Sequence, residues 1–273
     1  MSQTPVFSLR GVSFSYPGAS SLALDGVDLD VREGEWLALV GANGSGKSTL
    51  AKICNALLLP TQGACFVLGV DTRDVENVRR IRENVALVFQ NPEDQIVASI
   101  VEEDVAFGPE NLGFSSEEIL ERVDAALELV NLTSKRKRGS FSLSGGQKQR
   151  LALAGAIALR PKALFLDEST SMLDPEGRRS FLKCLCGLHE QGMTIVQITH
   201  RMEEAVKVDR VAVVEGGRVV WRGEPKRFFE KEYLRWNFEE PAEVALCREL
   251  VSREFLPSGT LPDVEIMLRS LCL

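Results

Sequence analysis

The sequence predicts an α/β fold: a parallel sheet wrapped by helices, with an added antiparallel layer and a short C-terminal extension. Three observations lead there. Short apolar runs, "WLALV", "KALFLD" and "MTIVQI", alternate with segments of helical apolar spacing. The first forty residues instead alternate apolar and polar, as strands with one solvated face do. A glycine loop, "GANGSGKST" at residues 41–49, joins an apolar strand to a helix.

In chain order, "VFSLRGVSFSYPG" reads as a strand turning at Pro17–Gly18, and "ALDGVDLDVREGE" as a second strand turning at Gly34. "WLALV" is a buried strand, followed by the glycine loop and a helix through "KICNALL". "TQGACFVLGVDT" reads as a strand pair, and "NVALVFQNP" as a short apolar strand ending in a polar loop. "SSEEILERVDAALELVNL" opens with Ser115 and has Glu118 three residues on, the pattern of a capping box. A helix after Gly145–Gly146 runs to about Leu159. "KALFLDEST" is an apolar strand ending in two acids, and "GRRSFLKCLCGLHEQG" a helix closed by Gly192. "MTIVQITH" is another buried strand, and "RVAVVEGGRVVWRG" a hairpin around Gly216–Gly217. From about residue 234 the pattern weakens to one or two short helices joined by a Pro/Gly/Ser turn.

The 273 residues suit one large domain with a modest appendix. A 44% hydrophobic share beside 26% charged residues predicts a sizeable core in an ordinary globular chain. A net charge of −7 argues against nucleic acid as a partner, because phosphate backbones need a basic face. The densest basic run, "SKRKRG" at residues 134–139, reads as a solvated loop. No apolar stretch is long enough to span a membrane, and "MSQTPVFSLRG" has no leader features. The expectation is therefore a cytosolic chain that reaches a membrane only through a partner. Six scattered cysteines and two histidines fit neither a disulfide framework nor a zinc site.

Gly41-x-x-x-x-Gly46-Lys47-Ser48, set between strand and helix, is the P-loop pattern: backbone amides cradle phosphates, Lys47 reaches the β/γ oxygens and Ser48 ligates Mg²⁺. The candidate nucleotide-binding set of this loop is Gly41, Asn43, Gly44, Ser45, Gly46, Lys47, Ser48 and Thr49. Asp167 closes an apolar strand where P-loop proteins hold Mg²⁺, and Glu168 beside it can take a proton from water. "LSGGQ" at residues 143–147 is a second glycine pair opening a helix, and chance yields that string in roughly a few chains in ten thousand. Amides opening a helix make an anion site, so the chain carries two phosphate-binding loops.

The P-loop, "LSGGQ" and "LFLDE", in that order, resemble the nucleotide-binding subunit of an ATP-binding cassette (ABC) ATPase over residues 5–230. The resemblance implies the P-loop NTPase ABC-ATPase fold, with ATP and Mg²⁺ as cofactors. It implies a nucleotide-binding domain over 1–233, with a helical subdomain at about 91–160, and an extension at 234–273 as a candidate dimerisation element. It also answers why there are two loops. Two cassettes pair head to tail, and Ser144, Gly145, Gly146 and Gln147 complete the partner's site. Tyr16 matches the aromatic that stacks on adenine. Gln90, in "VFQNP", matches the glutamine that contacts Mg²⁺ or water, which makes Ser48, Gln90 and Asp167 the metal set. Glu168, His200 and Gln90 form the catalytic set, with His200 on the γ-phosphate, and Asp174 acts across the dimer. The sequence departs from many members in carrying Ser169 after the catalytic Glu, where Pro or Ala is common, and Arg201 after the His, where Asp is common.

A finer resemblance lies in "FQNPEDQIVASIVEEDVAFGPENLG" at residues 89–113, in "LSGGQKQRLALAGAIALRP" and in "DESTSMLDPEGR". These are similar to energy-coupling factor (ECF) transporter ATPases, and more to the first of the two paired ATPases than to the second. The resemblance implies a second ATPase subunit, identical or related, a transmembrane coupling protein, and a small membrane protein that captures a vitamin or metal ion. It implies a peripheral position on the cytoplasmic membrane face and no nucleic-acid partner. Gln95 and the acidic run Glu102–Asp104 are expected to face the coupling helices. Other ABC importers, and soluble ABC proteins outside transport, share the coarser motifs.

Overall fold

The computed structural model describes residues 5–230 and 232–257, with Thr260 and Met267. Strands β1 (Phe7–Phe14) and β2 (Leu24–Val31) pair antiparallel, and β3 (Trp36–Val40) runs into the P-loop and helix α1 (Lys47–Cys54). Next come β4 (Gln62–Val67), β5 (Val70–Asp71), α2 (Val78–Asn84) and β6 (Val85–Val88). Three helices follow: α3 (Val101–Leu112), α4 (Ser116–Leu129) and α5 (Gly145–Ala158). Then come β7 (Ala163–Asp167), α6 (Pro175–Glu190), β8 (Thr194–Ile198) and the hairpin of β9 (Arg210–Glu215) and β10 (Arg218–Gly223). The chain continues into α7 (Pro225–Glu230) and α8 (Ala242–Ser252).

Two sheets form. One is antiparallel, in the order β2-β1-β4-β5; the other runs β10-β9-β3-β8-β7-β6 and is parallel except at its β10 edge. Every residue of β3 and β8 is buried, as apolar strands covered on both faces must be. One core lies between the two sheets and α1, where Phe7 meets Phe165 edge-on at 5.0 Å. The other lies between the parallel sheet and the helical layer.

Three readings change. Residues 134–139 are largely exposed, as expected, but their charges are partnered: Arg136 pairs with Glu102 and Asp124, Lys137 pairs with Glu102, and the Arg136 and Arg138 carbonyls accept the first amides of α3. The basic run is therefore the counter-charge of the acidic run. Asp104 does not face outward. It is buried in the first turn of α3, and its Oδ1 accepts from the Val97 and Ala98 amides at 2.7 and 2.9 Å. At Ser115 only half of the box forms, because Ser115 Oγ takes the Glu118 amide while the Glu118 carboxylate binds Arg122. The reciprocal box is at Ser144 and Gln147.

Among the described residues, side chains on either side of residue 234 pack together. Phe228, Phe229, Tyr233, Trp236 and Phe238 form one aromatic cluster, and Phe228, Phe229, Tyr233 and the α8 residue Val244 are buried in the main core. The Pro/Gly/Ser turn expected around 257–259 and the stretch beyond it lie largely outside the described residues.

Candidate functional site

The C-terminal ends of parallel strands face one crevice, and in α/β sheets that edge is where ligands bind. The P-loop follows β3, Asp167 ends β7, Glu168 comes next, His200 follows β8, and Gln90 follows β6. Strand order alone therefore gathers residues from four separate motifs. Residues 41–45 and His200 line a cavity of about 780 Å³, together with Glu215, Gly216 and residues 235–238 of the extension.

The P-loop needs its glycines. A Cβ on Gly41 would lie 2.1 Å from the Val214 carbonyl oxygen, and one on Gly46 would lie 2.4 Å from that of Ala23. Lys47 is buried, and its Nζ donates to the Gly41 and Ala42 carbonyls at 3.0 and 2.8 Å. Burial lowers its pKa, while Glu168 and Asp167 oppose that shift. Burial raises the pKa of Asp167; the Ser48 hydroxyl bonded to it pulls the other way, and neighbouring Glu168 adds to the rise. Ser48 and Asp167 thus set two hard oxygen donors side by side, with the Glu168 carboxylate adjacent. That pair fits Mg²⁺, which prefers oxygen ligands.

Glu168 occupies the left-handed region at φ 47°, a strained conformation for a residue with a side chain. Its amide donates to the Ile198 carbonyl at 3.0 Å. Gln90 Nε2 donates to Glu168 Oε2 at 3.0 Å, and His200 Nδ1 lies 3.5 Å from the same oxygen. A carboxylate held by two neutral or cationic groups, beside a phosphate cradle, is placed to receive a proton from water. Tyr16 hydrogen-bonds Thr49 Oγ1 at 3.1 Å and packs edge-on against Phe14, so its ring stands over the start of α1, half exposed.

The remaining expected residues stand apart from the cavity lining. Ser144 and Gly145 are exposed at the N-terminus of α5, and no atom lies within 4 Å of where a Gly145 Cβ would be. Asp174 caps α6, with Oδ1 accepting the Gly177 amide at 2.8 Å, and Met172 beside it is exposed. Gln95 folds its own loop, accepting from the Phe89 amide and donating to the Leu87 carbonyl. Sequence reasoning missed Gln149, whose amide bonds the Phe89 carbonyl next to Gln90, and the buried polar group around Glu204. Only Gln197, a polar residue inside an apolar strand, signalled the latter.

The family model described as ABC transporter matches residues 24–171. The chain is 46% identical over 96% of both chains to "Energy-coupling factor transporter ATP-binding protein EcfA1" of Clostridium novyi (strain NT). It is 56% identical to the protein of the same name from Symbiobacterium thermophilum, over 98% of this chain and 97% of that one. Among solved structures it resembles cbiO1 from Clostridium perfringens, described as part of the ABC transporter complex cbiONQ. The TM-score is 0.78 at 31% identity, covering 90% of this chain and all of the other. It also resembles the ATP-binding cassette MJ0796, a dimer in a post-hydrolysis state bound to ADP and Pi, with TM-score 0.73 and 29% identity over 80% of this chain and 98% of that one.

Proposed function

Because the chain belongs to the ABC transporter family, as the ATPase of an energy-coupling factor type transporter, we propose that two cassettes close head to tail on ATP and drive uptake of a vitamin or transition-metal ion by membrane partners. The observation that carries the mechanism is the Glu168 carboxylate, 3.0 Å from Gln90 Nε2 and 3.5 Å from His200 Nδ1, at the strand end beside Lys47 and Asp167.

In this reading the P-loop amides and Lys47 bind the β- and γ-phosphates, and Tyr16 stacks on the adenine. Ser48 and Asp167 would hold Mg²⁺, with Gln90 beside them; the ion, when bound, neutralises phosphate charge. Glu168 accepts the proton of the attacking water at a carboxylate oxygen, Gln90 orients that carboxylate, and His200 faces the γ-phosphate. Ser144, Gly145, Gly146 and Gln147 present an open helix start, which adds positive potential to a partner's γ-phosphate only when ATP is bound there. Asp174, at its cap, sets the loop that meets the partner. Hydrolysis removes the shared phosphate, and the pair opens.

Two surfaces support the partner contacts. A groove of about 340 Å³ runs beside the Gln90 loop, with Leu57, Val97 and Phe107 exposed along it. It suits an apolar helix of a coupling protein, and it touches the loop that holds Glu168 through Gln90. Leu234, Leu246 and Phe255 are exposed on the extension and support a dimerisation role there. In this reading the chain sits on the cytoplasmic face of the membrane through its partners; no described helix is long and apolar enough to cross a membrane.

The test is purification of the tagged chain from gently solubilised membranes of its own cell. A second ABC ATPase, a polytopic membrane protein and small membrane proteins are expected. Ribosomal proteins without membrane proteins would refute the transport reading. Glu168→Gln should bind ATP normally and hydrolyse it about a hundredfold more slowly or worse.

A further inference from the structure

Below the crevice lies a fully buried carboxylate that the proposed chemistry does not use. Glu204 is 4% exposed and sits in the helical turn Met202–Val206, four residues after His200. Its two oxygens are spent on two different segments. Oε1 accepts from Thr170 Oγ1 at 2.5 Å, and Oε2 accepts from Gln197 Nε2 at 2.6 Å. Thr170 is 4% exposed and Gln197 2%. The Trp36 indole N–H donates to Gln197 Oε1 at 3.1 Å. An indole can only donate, so the amide must turn its NH₂ toward Glu204. The network therefore has one consistent set of donors.

Each segment held this way carries a site residue. Thr170 is two residues past Glu168, in the turn where the Ser171 amide bonds the Glu168 carbonyl at 3.0 Å. Gln197 is the penultimate residue of β8, three residues before His200. Glu168 is thus bracketed by its own amide bond to Ile198 and by the Thr170–Glu204 bond. His200 is bracketed by Gln197 and Glu204, and Glu204 belongs to both brackets. A strained backbone such as that at Glu168 persists only where its surroundings over-determine it.

We propose that Glu204 is a positioning residue for ATP hydrolysis, a buried tether that sets the Glu168–His200 separation. This rests on the roles proposed above for those two residues. Loss of the tether should displace the general base without touching the phosphate cradle, so kcat should fall while KM for ATP holds.

The test measures kcat and KM in the assembled transporter for Thr170→Val, Glu204→Gln, Glu204→Ala and Glu168→Gln. Thr170→Val keeps the shape and removes only the hydroxyl. It should lower kcat about tenfold with KM within about twofold, since small misplacement of reacting groups is costly. Glu204→Gln keeps both bonds, because the Thr170 hydroxyl can turn to accept, and should stay within about threefold of wild type. Glu204→Ala should lose kcat as Thr170→Val does. Wild-type kcat in Thr170→Val, a KM that rises as kcat falls, or equal losses in the Gln and Ala variants would each overturn the tether, while slow Glu168→Gln leaves the base assignment standing. Wild-type turnover by Glu168→Gln would overturn both.

Discussion

Gly41→Ala offers a direct measurement of how tightly the phosphate cradle is built. The new methyl would sit 2.1 Å from the Val214 carbonyl oxygen and 3.0 Å from Ser45 Oγ. Relief of the first contact requires a shift of about 1 Å, since a Cβ essentially never lies under 3.0 Å from another heavy atom. Strand β9 cannot supply it, because β9 is paired with β3 on one side and β10 on the other. The loop must move, although the Gly217 amide also grips it at the Ser45 carbonyl. A shift of that size takes an amide–phosphate contact from about 3 Å to about 4 Å, beyond hydrogen bonding. Bonds to a charged group contribute about 1.5–3 kcal/mol each, so losing two weakens ATP binding by about a hundredfold or more. Equilibrium titration with a fluorescent ATP analogue reads this directly. Gly44→Ala is the control: its Cβ meets nothing within 4 Å, and only the φ of 76° resists it. That strain costs about 1–2 kcal/mol, so the loss should stay near tenfold. A Gly41→Ala Kd within about threefold of wild type would refute the steric argument.

Two further outcomes follow from burial at the site. Burial raises the pKa of Asp167, so its contribution to stability is full below the ordinary carboxylate range and is lost as pH rises through the raised pKa. Asp167→Asn should therefore melt higher than wild type at neutral pH without nucleotide, with the gap closing in acid, and should lose the stabilisation that MgATP gives; a lower melting temperature at neutral pH would contradict this. Trp236 lines the P-loop cavity, with its indole N–H 3.2 Å from Glu215 Oε2, whereas Trp36 is buried at the opposite end of β3 and Trp221 packs on Phe228 at 5.1 Å. ATP should change the intrinsic fluorescence of the wild type, and Trp236→Phe should abolish the change while leaving the Kd within about twofold; a full signal in that variant would place its source elsewhere.

What the sequence disclosed, and what it hid, divide along a physical line. Strands β3, β7 and β8 were legible because a strand covered on both faces must be an unbroken apolar run, and the β9–β10 hairpin because two glycines mark its turn. The P-loop was legible because the bend and the close approach to Val214 admit no side chain at Gly41. Helix α3 was not: it carries Pro109 and opens with three acids, and no apolar periodicity marked it as a helix. What makes it a helix lies over thirty residues away, in the carbonyls and guanidinium of residues 136–138. Charge in a linear string looks solvated until folding supplies its partner. Groups that meet a ligand must be of given types at given spacings, and they leave a contiguous trace such as "GKS" or "LFLDE". A group that only positions them is free to arrive from anywhere that folding brings within 3 Å. In "RMEEAVK", Glu203 and Glu204 are indistinguishable as letters, yet one is exposed and the other buried between Thr170 and Gln197. That difference is set by one residue of turn geometry after His200, which places the tether beyond the reach of motif reading and within the reach of a kcat measurement.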